Sequence, residues 1–522
     1  MSANPIGYTN KDYASLLAAL QQFASQQMPE WTDQSPNDVG VMLLELFCAM
    51  GDALFYNMDR IAGESFLATA VERRSVMNHL RLIGYELRPP LSASADLTLL
   101  FDASATGSVT VSQFAAFKTS GPGTALTFQY ILTTPVVIDR GSLPFALVDA
   151  TGAVTVLPAG QPATPPQGST AYRAYQTLPV VQVDANVSNE ILGSSNGSAN
   201  QTFSLQRAPV IDATLVVSVD EGAGPVVWTN VSSLLQSGPN DAVYQVRRDE
   251  NETVWVEFGG PPYGRAPLAG VLNNISASYC AGGGVKGNVG VNAISKPVTA
   301  IDKLKLVANL APASGGTEAE DSASAAQRAP QQFRSGDRAV TAADYVTLAQ
   351  TFGFAKAQAQ AAGWNRVRVV VAPEGGGPPS STMVEDFQRF LAPKIMLGAQ
   401  VDISGPLFTP LYLDVTVYYS PQYSAALIEQ QVGQAVAALL AFDTLTFNQT
   451  LYISKIYEII QEIDGVAGVN ITTFAKGATY QAGSLPPTGQ LVFGQVDPSE
   501  LPQWQGFDGK TSTLTFQPGS GP

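Results

Sequence analysis

Apolar residues at helical spacing dominate the first part of the chain. Between residues 9 and 84 they recur every three or four positions, which predicts a run of α-helices. Capping-box patterns at Thr9 to Asp12 and at Ser35 to Asp38 predict two helix starts, the second with Pro36 at the first helical position. A third helix is predicted from Glu64 to Ile83, ending at Gly84.

The second predicted helix carries large apolar residues around nearly its whole circumference. They include Val39, Met42, Leu43, Leu46, Phe47, Met50 and Leu54. A helix that is apolar on all sides needs burial on all sides, and one neighbouring helix cannot supply it. Burying each large apolar side chain contributes roughly 1.5–3 kcal/mol, so the uncovered helix would be unfavourable. Either the middle of this chain or helices of other subunits complete the bundle, and the pattern leaves both open.

After Pro89 the apolar period changes from helical to alternating. Ala95, Leu97, Leu99 and Phe101 alternate with mostly polar neighbours, as is typical of half-buried strands. Connectors rich in Gly, Pro, Ser and Thr separate such runs up to residue 309. The pattern predicts an antiparallel β-rich middle, which could consist of two nested β domains.

The remaining chain mixes both periods. We predict an α+β multidomain protein with a helical core-bundle region at 1–90, the β-rich middle at 91–309, a junction at 310–335, an α/β inter-subunit domain at 336–477 and a β arm at 478–522. Capping boxes at Thr341 and Thr382 predict helix starts in the α/β part. The last segment is predicted to be a small appended β element or an arm that orders against a neighbour.

Charge and composition exclude several functions. The chain has 43 Asp and Glu against 28 Lys and Arg, a net charge of −15, which repels the phosphates of nucleic acids. The longest apolar window, Val39 to Met50, has about 12 residues, short of the roughly 20 that span a bilayer, so we expect no membrane insertion. The only histidine is His79, and Cys48 and Cys280 lie far apart, so we expect no metal site.

Candidate catalytic patterns are weak. Gly282 to Gly287 fits G-x-G-x-x-G, but no helical pattern follows to hold a pyrophosphate, which favours a close-packed turn over a cofactor site. Asp220 and Glu221 fall in a predicted loop, where a solvated acidic turn explains them better than a glycosidase pair. We therefore expect no catalytic residues, no cofactor and no enzyme activity.

Three ordered blocks of the sequence resemble the baseplate J-like proteins, the wedge subunits of contractile phage tails and related injection systems. The blocks comprise Pro29 to Asp33, Pro36 to Gly40, Leu43 to Leu46, Phe66 to Ala70 and Leu82 to Tyr85; then Asn309 to Glu320 and Arg338 to Tyr345; and finally Leu451 to Tyr457 and Val466 to Val469. Together the blocks span most of the chain, which makes the resemblance far more specific than a single motif.

The resemblance implies a structural protein. It would assemble with itself and a smaller wedge protein into a sixfold ring around the tail hub, and transmit the conformational change that triggers sheath contraction. Expected partners are a second copy or paralogue of the subunit, the smaller wedge protein, sheath-initiator or hub-proximal proteins, and fibre-attachment proteins. The family's carboxy-terminal region joins neighbouring wedges, which makes Tyr452, Ile456 and Ile460 candidate contact residues here.

The expected location is a virion tail or injection-system baseplate, assembled in the bacterial cytoplasm. An alternative function is a β-rich carbohydrate-active or receptor-binding tail component, which needs acidic clefts rather than partner helices. Glycan cleavage by the isolated chain would favour that alternative.

Overall fold

The computed structural model describes residues 11–519 except 33, 34, 36, 121–124, 163, 337 and 508. In this part of the chain, eight α-helices and 26 strands form a helical start, a β-rich middle and a mixed α/β end, which confirms the predicted fold class. Contacts divide the chain into two compact units. The first comprises 1–87, 248–252 and 320–336, and the second comprises 88–247, 253–319 and 337–522. How the chain divides into functional domains stays a prediction.

Four helices belong to the first unit: α1 (Tyr13–Gln27), α2 (Val39–Glu64), α3 (Arg73–Leu82) and α4 (Ser322–Ser335). Helices α3 and α4 share a small core with Tyr85. The predicted junction at 310–335 therefore contains a regular helix, capped by the Asp321 carboxylate.

The helix boundaries correct two predictions. Asp38, not Ser35, caps α2, because its carboxylate accepts hydrogen bonds from the N–H groups of Gly40 (2.8 Å) and Val41 (3.2 Å). Helix α2 also continues to Glu64, so the third helix starts nine residues later than Glu64, at Arg73. The predicted cap at Thr9 lies outside the described residues, and Asp12 caps α1.

Seventeen strands form the β-rich middle. They are β1 (Ser94–Asp102), β2 (Ser108–Val111), β3 (Ala116–Thr119), β4 (Thr127–Gln129), β5 (Val136–Asp139), β6 (Phe145–Val148), β7 (Val154–Val156), β8 (Thr170–Gln182), β9 (Ala185–Gly193), β10 (Thr202–Ser204), β11 (Val216–Asp220), β12 (Pro225–Asn230), β13 (Val243–Arg248), β14 (Val254–Phe258), β15 (Ile275–Ala281), β16 (Ile294–Pro297) and β17 (Leu304–Asn309).

These strands build two main sheets with separate cores. The eight-stranded sheet has the order β16-β3-β4-β8-β1-β17, with β6 and β7 attached through β8. The seven-stranded sheet has the order β10-β14-β13-β12-β11-β15-β9, and β2 pairs with β5. The described pairings are antiparallel, as predicted, except the parallel pair β12 and β13. Phe117 and Phe128 lie in the first core, Trp228 and Phe258 in the second.

The α/β part follows. Its elements are α5 (Ala342–Phe352), β18 (Phe354–Gly363), β19 (Arg366–Pro373), α6 (Ser381–Leu391), β20 (Gln400–Ser404), β21 (Leu407–Tyr419), α7 (Ala425–Leu439), β22 (Thr450–Tyr452), α8 (Ile453–Gln461), β23 (Val466–Lys476), β24 (Gln490–Val492), β25 (Glu500–Trp504) and β26 (Thr513–Pro518). The predicted capping box at Thr341 is confirmed, whereas α6 is capped by Ser380 rather than Thr382.

Three sheets organise this part. Strands β18, β19 and β20 form one sheet, β22 pairs with β24, and β21 is the centre of the third sheet. On one side β21 pairs with β23; on the other it pairs in parallel with β25 and then with β26. The end of the chain is thus ordered on strands of its own chain.

Candidate interaction surface

One stripe of α2 packs against the described chain. Val41 and Cys48, seven residues apart, are buried on this stripe. Helix α1 lies alongside, where the backbone N–H of Tyr13 donates to the Asp52 carboxylate at 3.1 Å. A methyl group at Gly51 would lie 3.1 Å from the Leu16 side chain, which shows how closely the two helices approach. Burial also raises the pKa of the Cys48 thiol, with a smaller contribution from the charge of Glu45.

The opposite face of α2 is exposed. All seven residues predicted to contact partners lie on the uncovered surface, with 53–69% of their area exposed: Val39, Met42, Leu43, Leu46, Phe47, Met50 and Leu54. Tyr56, Met58 and Ile61 extend the exposed surface towards the end of the helix. These three were not predicted, although the continuing three- and four-residue spacing was a usable signal.

The exposed residues form a helical seam. Leu43, Leu46, Met50, Leu54, Met58 and Ile61 follow one another at intervals of three or four residues. We call this set the α2 seam. The spacing aligns the six side chains along one side of the helix, which is the arrangement that packs against another helix. Covering the seam would contribute on the order of 10 kcal/mol, since each large apolar side chain is worth roughly 1.5–3 kcal/mol.

Polar contacts define the end of α2. The Glu64 carboxylate accepts hydrogen bonds from the N–H groups of Val71 (3.0 Å) and Glu72 (3.2 Å). Burial alone would raise the pKa of Glu64, but hydrogen bonds from Val71, Ser75 and Glu72 outweigh it and hold the pKa below its ordinary value. Arg60 forms an ion pair with Glu72. An open cavity of about 500 Å³ lies beside these residues. The carboxylates of Glu64 and Glu72 therefore stabilise the turn that follows α2.

The length of α2 corrects the sequence estimate of its apolar span. The helix has 26 residues and is long and apolar enough to cross a membrane by length and composition alone. The sequence window stopped at Met50, whereas the apolar pattern continues beyond Asp52. The core helix of a soluble protein meets the same measure, so length and composition do not identify what covers α2. The absence of membrane insertion stays a prediction.

The three carboxy-terminal candidates divide between surface and core. Tyr452 is 52% exposed and available to a partner. Ile456 and Ile460 are buried in the core that α8 shares with β21 and α7. For these two residues, a role inside their own chain replaces the predicted subunit contact, because the apolar side of α8 is already covered.

The residues considered for catalysis have structural contacts. Asp220 accepts hydrogen bonds from the N–H groups of Gly222 (2.8 Å) and Gly224 (3.0 Å), while Glu221 pairs with Arg265 at 2.9 Å. Nε2 of His79 lies 2.8 Å from a backbone carbonyl, that of Glu64. Within the described ranges, no three His, Cys, Asp or Glu side chains are placed to hold a metal ion.

The glycine-rich segment forms the predicted close-packed turn. Val285–Gly287 is a single short 3-10 turn, and the Val285 N–H donates to the Glu318 carboxylate at 3.0 Å. A methyl group at Gly287 would lie 2.7 Å from the side chain of Ala93. Glycine is needed there because the adjacent segment around Ala93 leaves no room for a side chain.

Two family matches cover the helical start and the three-stranded sheet. Residues 10–82, which include α1 to α3, match the bacteriophage baseplate protein N-terminal domain. Residues 337–404, which include β18 to β20, match the baseplate J-like central domain. Both matches are to baseplate protein domains. The resemblance seen in the sequence is thereby confirmed, and the α2 seam lies inside the first matched domain.

Two solved baseplate structures are similar to this chain. One is the cryo-EM structure of the anti-feeding prophage (AFP) baseplate, 6-fold symmetrised, with 12% identity, 93% of this chain and 90% of that chain covered, and a TM-score of 0.30. The other is the type VI secretion system TssK-TssF-TssG baseplate subcomplex, with 11% identity and a TM-score of 0.29. The match covers 70% of this chain and 96% of that chain. Scores this low do not establish a shared fold.

The comparison with curated proteins returns no match. The relation to baseplate proteins therefore rests on the two matched domains. The two matches support a structural role for this chain in the baseplate of a contractile tail or injection system.

Proposed function

We propose that this chain is a baseplate wedge subunit and that its α2 seam packs against helices of other subunits. The partners would be a second copy or paralogue of the chain and a smaller wedge protein. The observation that carries the proposal is the exposure of Leu43, Leu46 and the rest of the seam on a helix whose other side is covered by α1.

The composition of α2 favours protein over lipid as the covering partner. The helix contains four charged residues, Glu45, Asp52, Asp59 and Arg60. Asp52 already accepts a hydrogen bond from α1. Ionised side chains are costly in hydrocarbon, whereas a bundle of helices can accommodate them beside its apolar seam. The baseplate N-terminal domain match covers this helix and supports the same choice.

The wedges would then join into a sixfold ring around the tail hub, with assembly in the bacterial cytoplasm. Contacts between neighbouring wedges are heterologous, so the ring closes only when the rotation per wedge is right. Sheath-initiator or hub-proximal proteins and fibre-attachment proteins would bind this ring. The ring would transmit the change that triggers sheath contraction through rigid-body movement of wedges whose helical bundles stay intact.

The test is co-expression with the neighbouring baseplate chains, using Leu43→Asp and Leu46→Asp. Both residues are more than half exposed in the chain by itself, so either variant should keep the thermal unfolding of the wild type. In a wedge, each new carboxylate would be buried without a partner, so co-purification of the smaller wedge protein should be lost.

The matched control is Leu272→Asp, which places the same charge on an exposed leucine between β14 and β15. It should leave co-purification unchanged. Wild-type yields of complex with both seam variants would contradict the proposal. Flotation of the wild-type chain with anionic lipid vesicles, abolished by Leu43→Asp, would contradict it as well, because lipid would then be the covering partner.

A further inference from the structure

A second group of exposed apolar side chains lies at one end of the three-stranded sheet. Strands β18 and β19 are joined by a two-residue turn, in which Trp364 and Asn365 lie between the paired residues Gly363 and Arg366. The Trp364 side chain is 92% exposed. The alternating pattern of the flanking strands did not predict an exposed tryptophan at this turn.

The connection from α6 to β20 returns to the same end of the sheet. The Gln400 N–H donates to the Asn365 carbonyl at 2.8 Å, and Gln400 is the register partner of Arg366. Just before Gln400, residues 396–399 form a turn closed by a 3.0 Å backbone hydrogen bond between its first and last residues. In this turn, Met396 is 58% exposed and Leu397 is fully exposed. We call Trp364, Met396 and Leu397 the tip cluster.

The tip cluster is not needed for the core beneath it. Val369, Phe387 and Leu391 are buried in that core, which is complete without Trp364. Tryptophan is the side chain that gains most from burial, and it is enriched among the residues that dominate binding energy at interfaces. An exposed tryptophan at the same end of the sheet as an exposed methionine and leucine is therefore a candidate anchor for another protein surface.

The local charge is compatible with a second copy of the chain as the partner. The whole chain has a net charge of −15, so two copies have a net electrostatic repulsion. Residues 337–404 are an exception, with six Lys or Arg and six Asp or Glu. At the tip itself, Arg366 pairs with Asp402 at 3.2 Å. A second copy of this acidic chain can approach here with less repulsion than at an average site.

We propose that the tip cluster docks on a second copy of the chain and anchors the contact between neighbouring wedges. The proposal rests on the wedge function proposed above and names a surface for the joining step. Three side chains bury far less than the roughly 800 Å² per partner of a standard interface, so they would form the centre of a larger contact. The contact is heterologous, because the cluster would meet a different surface of the neighbouring copy.

The first test measures how purified wedges join. Trp364→Ser and the double change Met396→Ser with Leu397→Ser should leave wedges intact, because the seam on α2 is untouched. Sedimentation should show that joining of wedges needs a concentration roughly tenfold higher or more, as expected for loss of a central anchor. The control Leu272→Ser should join like the wild type. Joining of both tip variants at the wild-type concentration would overturn the proposal.

The same variants separate this proposal from the wedge function. Leu43→Asp should prevent the wedge from forming, whereas Trp364→Ser should permit the wedge and impair only the next step. If the wild-type chain forms no complex with a smaller chain, the wedge function fails. Self-association of the full chain by itself then tests the tip cluster, with a roughly tenfold loss for Trp364→Ser expected as before.

The second test identifies the occupant. A photo-crosslinking amino acid in place of Trp364, in a mixture of isotopically light and heavy chains, should yield crosslinks between a light and a heavy copy in assembled particles. Crosslinks that lead only to a different protein would overturn the choice of a second copy. Crosslinking equal to that of the same probe placed at Leu272 would overturn the docking itself.

Discussion

Asp414, in the middle of β21, shows how one side chain binds a late strand, because its carboxylate is hydrogen-bonded to Thr513 of β26. Its nearly buried carboxylate accepts hydrogen bonds from the Thr513 N–H at 3.0 Å, the Thr513 hydroxyl at 2.7 Å and the Tyr480 hydroxyl at 2.7 Å. Burial by itself would raise the pKa of Asp414. Hydrogen bonds from Thr473, Tyr480 and Thr513 outweigh burial and lower the pKa below its ordinary value. The ionised carboxylate therefore stabilises the folded chain.

This pKa shift predicts an acid-dependent stability. Because the folded pKa lies below the unfolded one, Asp414 contributes fully above about pH 4, and its contribution is lost as pH falls through the folded pKa. Asp414→Asn should lower the free energy of unfolding by about 1–3 kcal/mol at pH 7. Urea unfolding of wild type and variant should converge as the pH drops below about 4. A difference that stays constant down to pH 3 would contradict the assignment.

At the level of elements, α8 and α2 differ in what covers their apolar stripes. Ile456 and Ile460 on α8 lie against β21 in the chain's own core, whereas Leu43 and Leu46 on α2 face outward. Both helices show the same three- to four-residue apolar spacing. Spacing shows that a stripe needs a partner, but it does not show whether that partner belongs to the same chain.

The contrast predicts that substitutions at Ile456 and Tyr452, near the start of α8, differ in their effect on stability. Ile456→Ala should cost about 2–5 kcal/mol of unfolding free energy, because it opens a cavity among buried side chains. Tyr452→Ala, at a half-exposed position, should change the isolated chain by less than about 0.5 kcal/mol. Denaturant unfolding of the two full-length variants measures both values. Equal losses would show that Tyr452 also contributes to the core.

Across the whole molecule, the order of elements in space departs from their order in the chain. Strand β21 pairs in parallel with β25 and β26, which follow it by more than 80 residues. Leu501 on β25 is fully buried, and Trp504 and Phe516 pack against the core around β21. Within the described residues, β25 and β26 of the last segment therefore pair with β21 of their own chain.

Removal of residues 500–522 tests the contribution of this end. The shortened chain should expose the edge of β21 and part of its apolar core, bind a hydrophobic dye and aggregate on purification, because an unpaired strand edge templates association. A chain that stops after Pro518 keeps both strands and is the control. If the shortened chain instead stays monomeric and melts like the control, β25 and β26 are not needed for the fold.

The sequence by itself determined the type of most elements. The predicted capping box at Thr341 and the predicted strand around Leu97 agree with the structure. These signals are local, since periodicity and capping depend on residues within a few positions of each other. The cap of α2 was misplaced because Ser35 and Asp38 are both good caps, and local rules do not rank them.

Only the tertiary structure decided which apolar residues are covered. Ile456 became a core residue, whereas Leu43 and Trp364 became surface residues, although the three are alike in apolar character. The physical reason is that burial depends on which distant segments meet: β21 covers α8, α1 covers one stripe of α2, and the turn at Trp364 projects beyond its own core. An apolar side chain lowers the free energy when it is buried, but the fold determines which apolar side chains remain exposed.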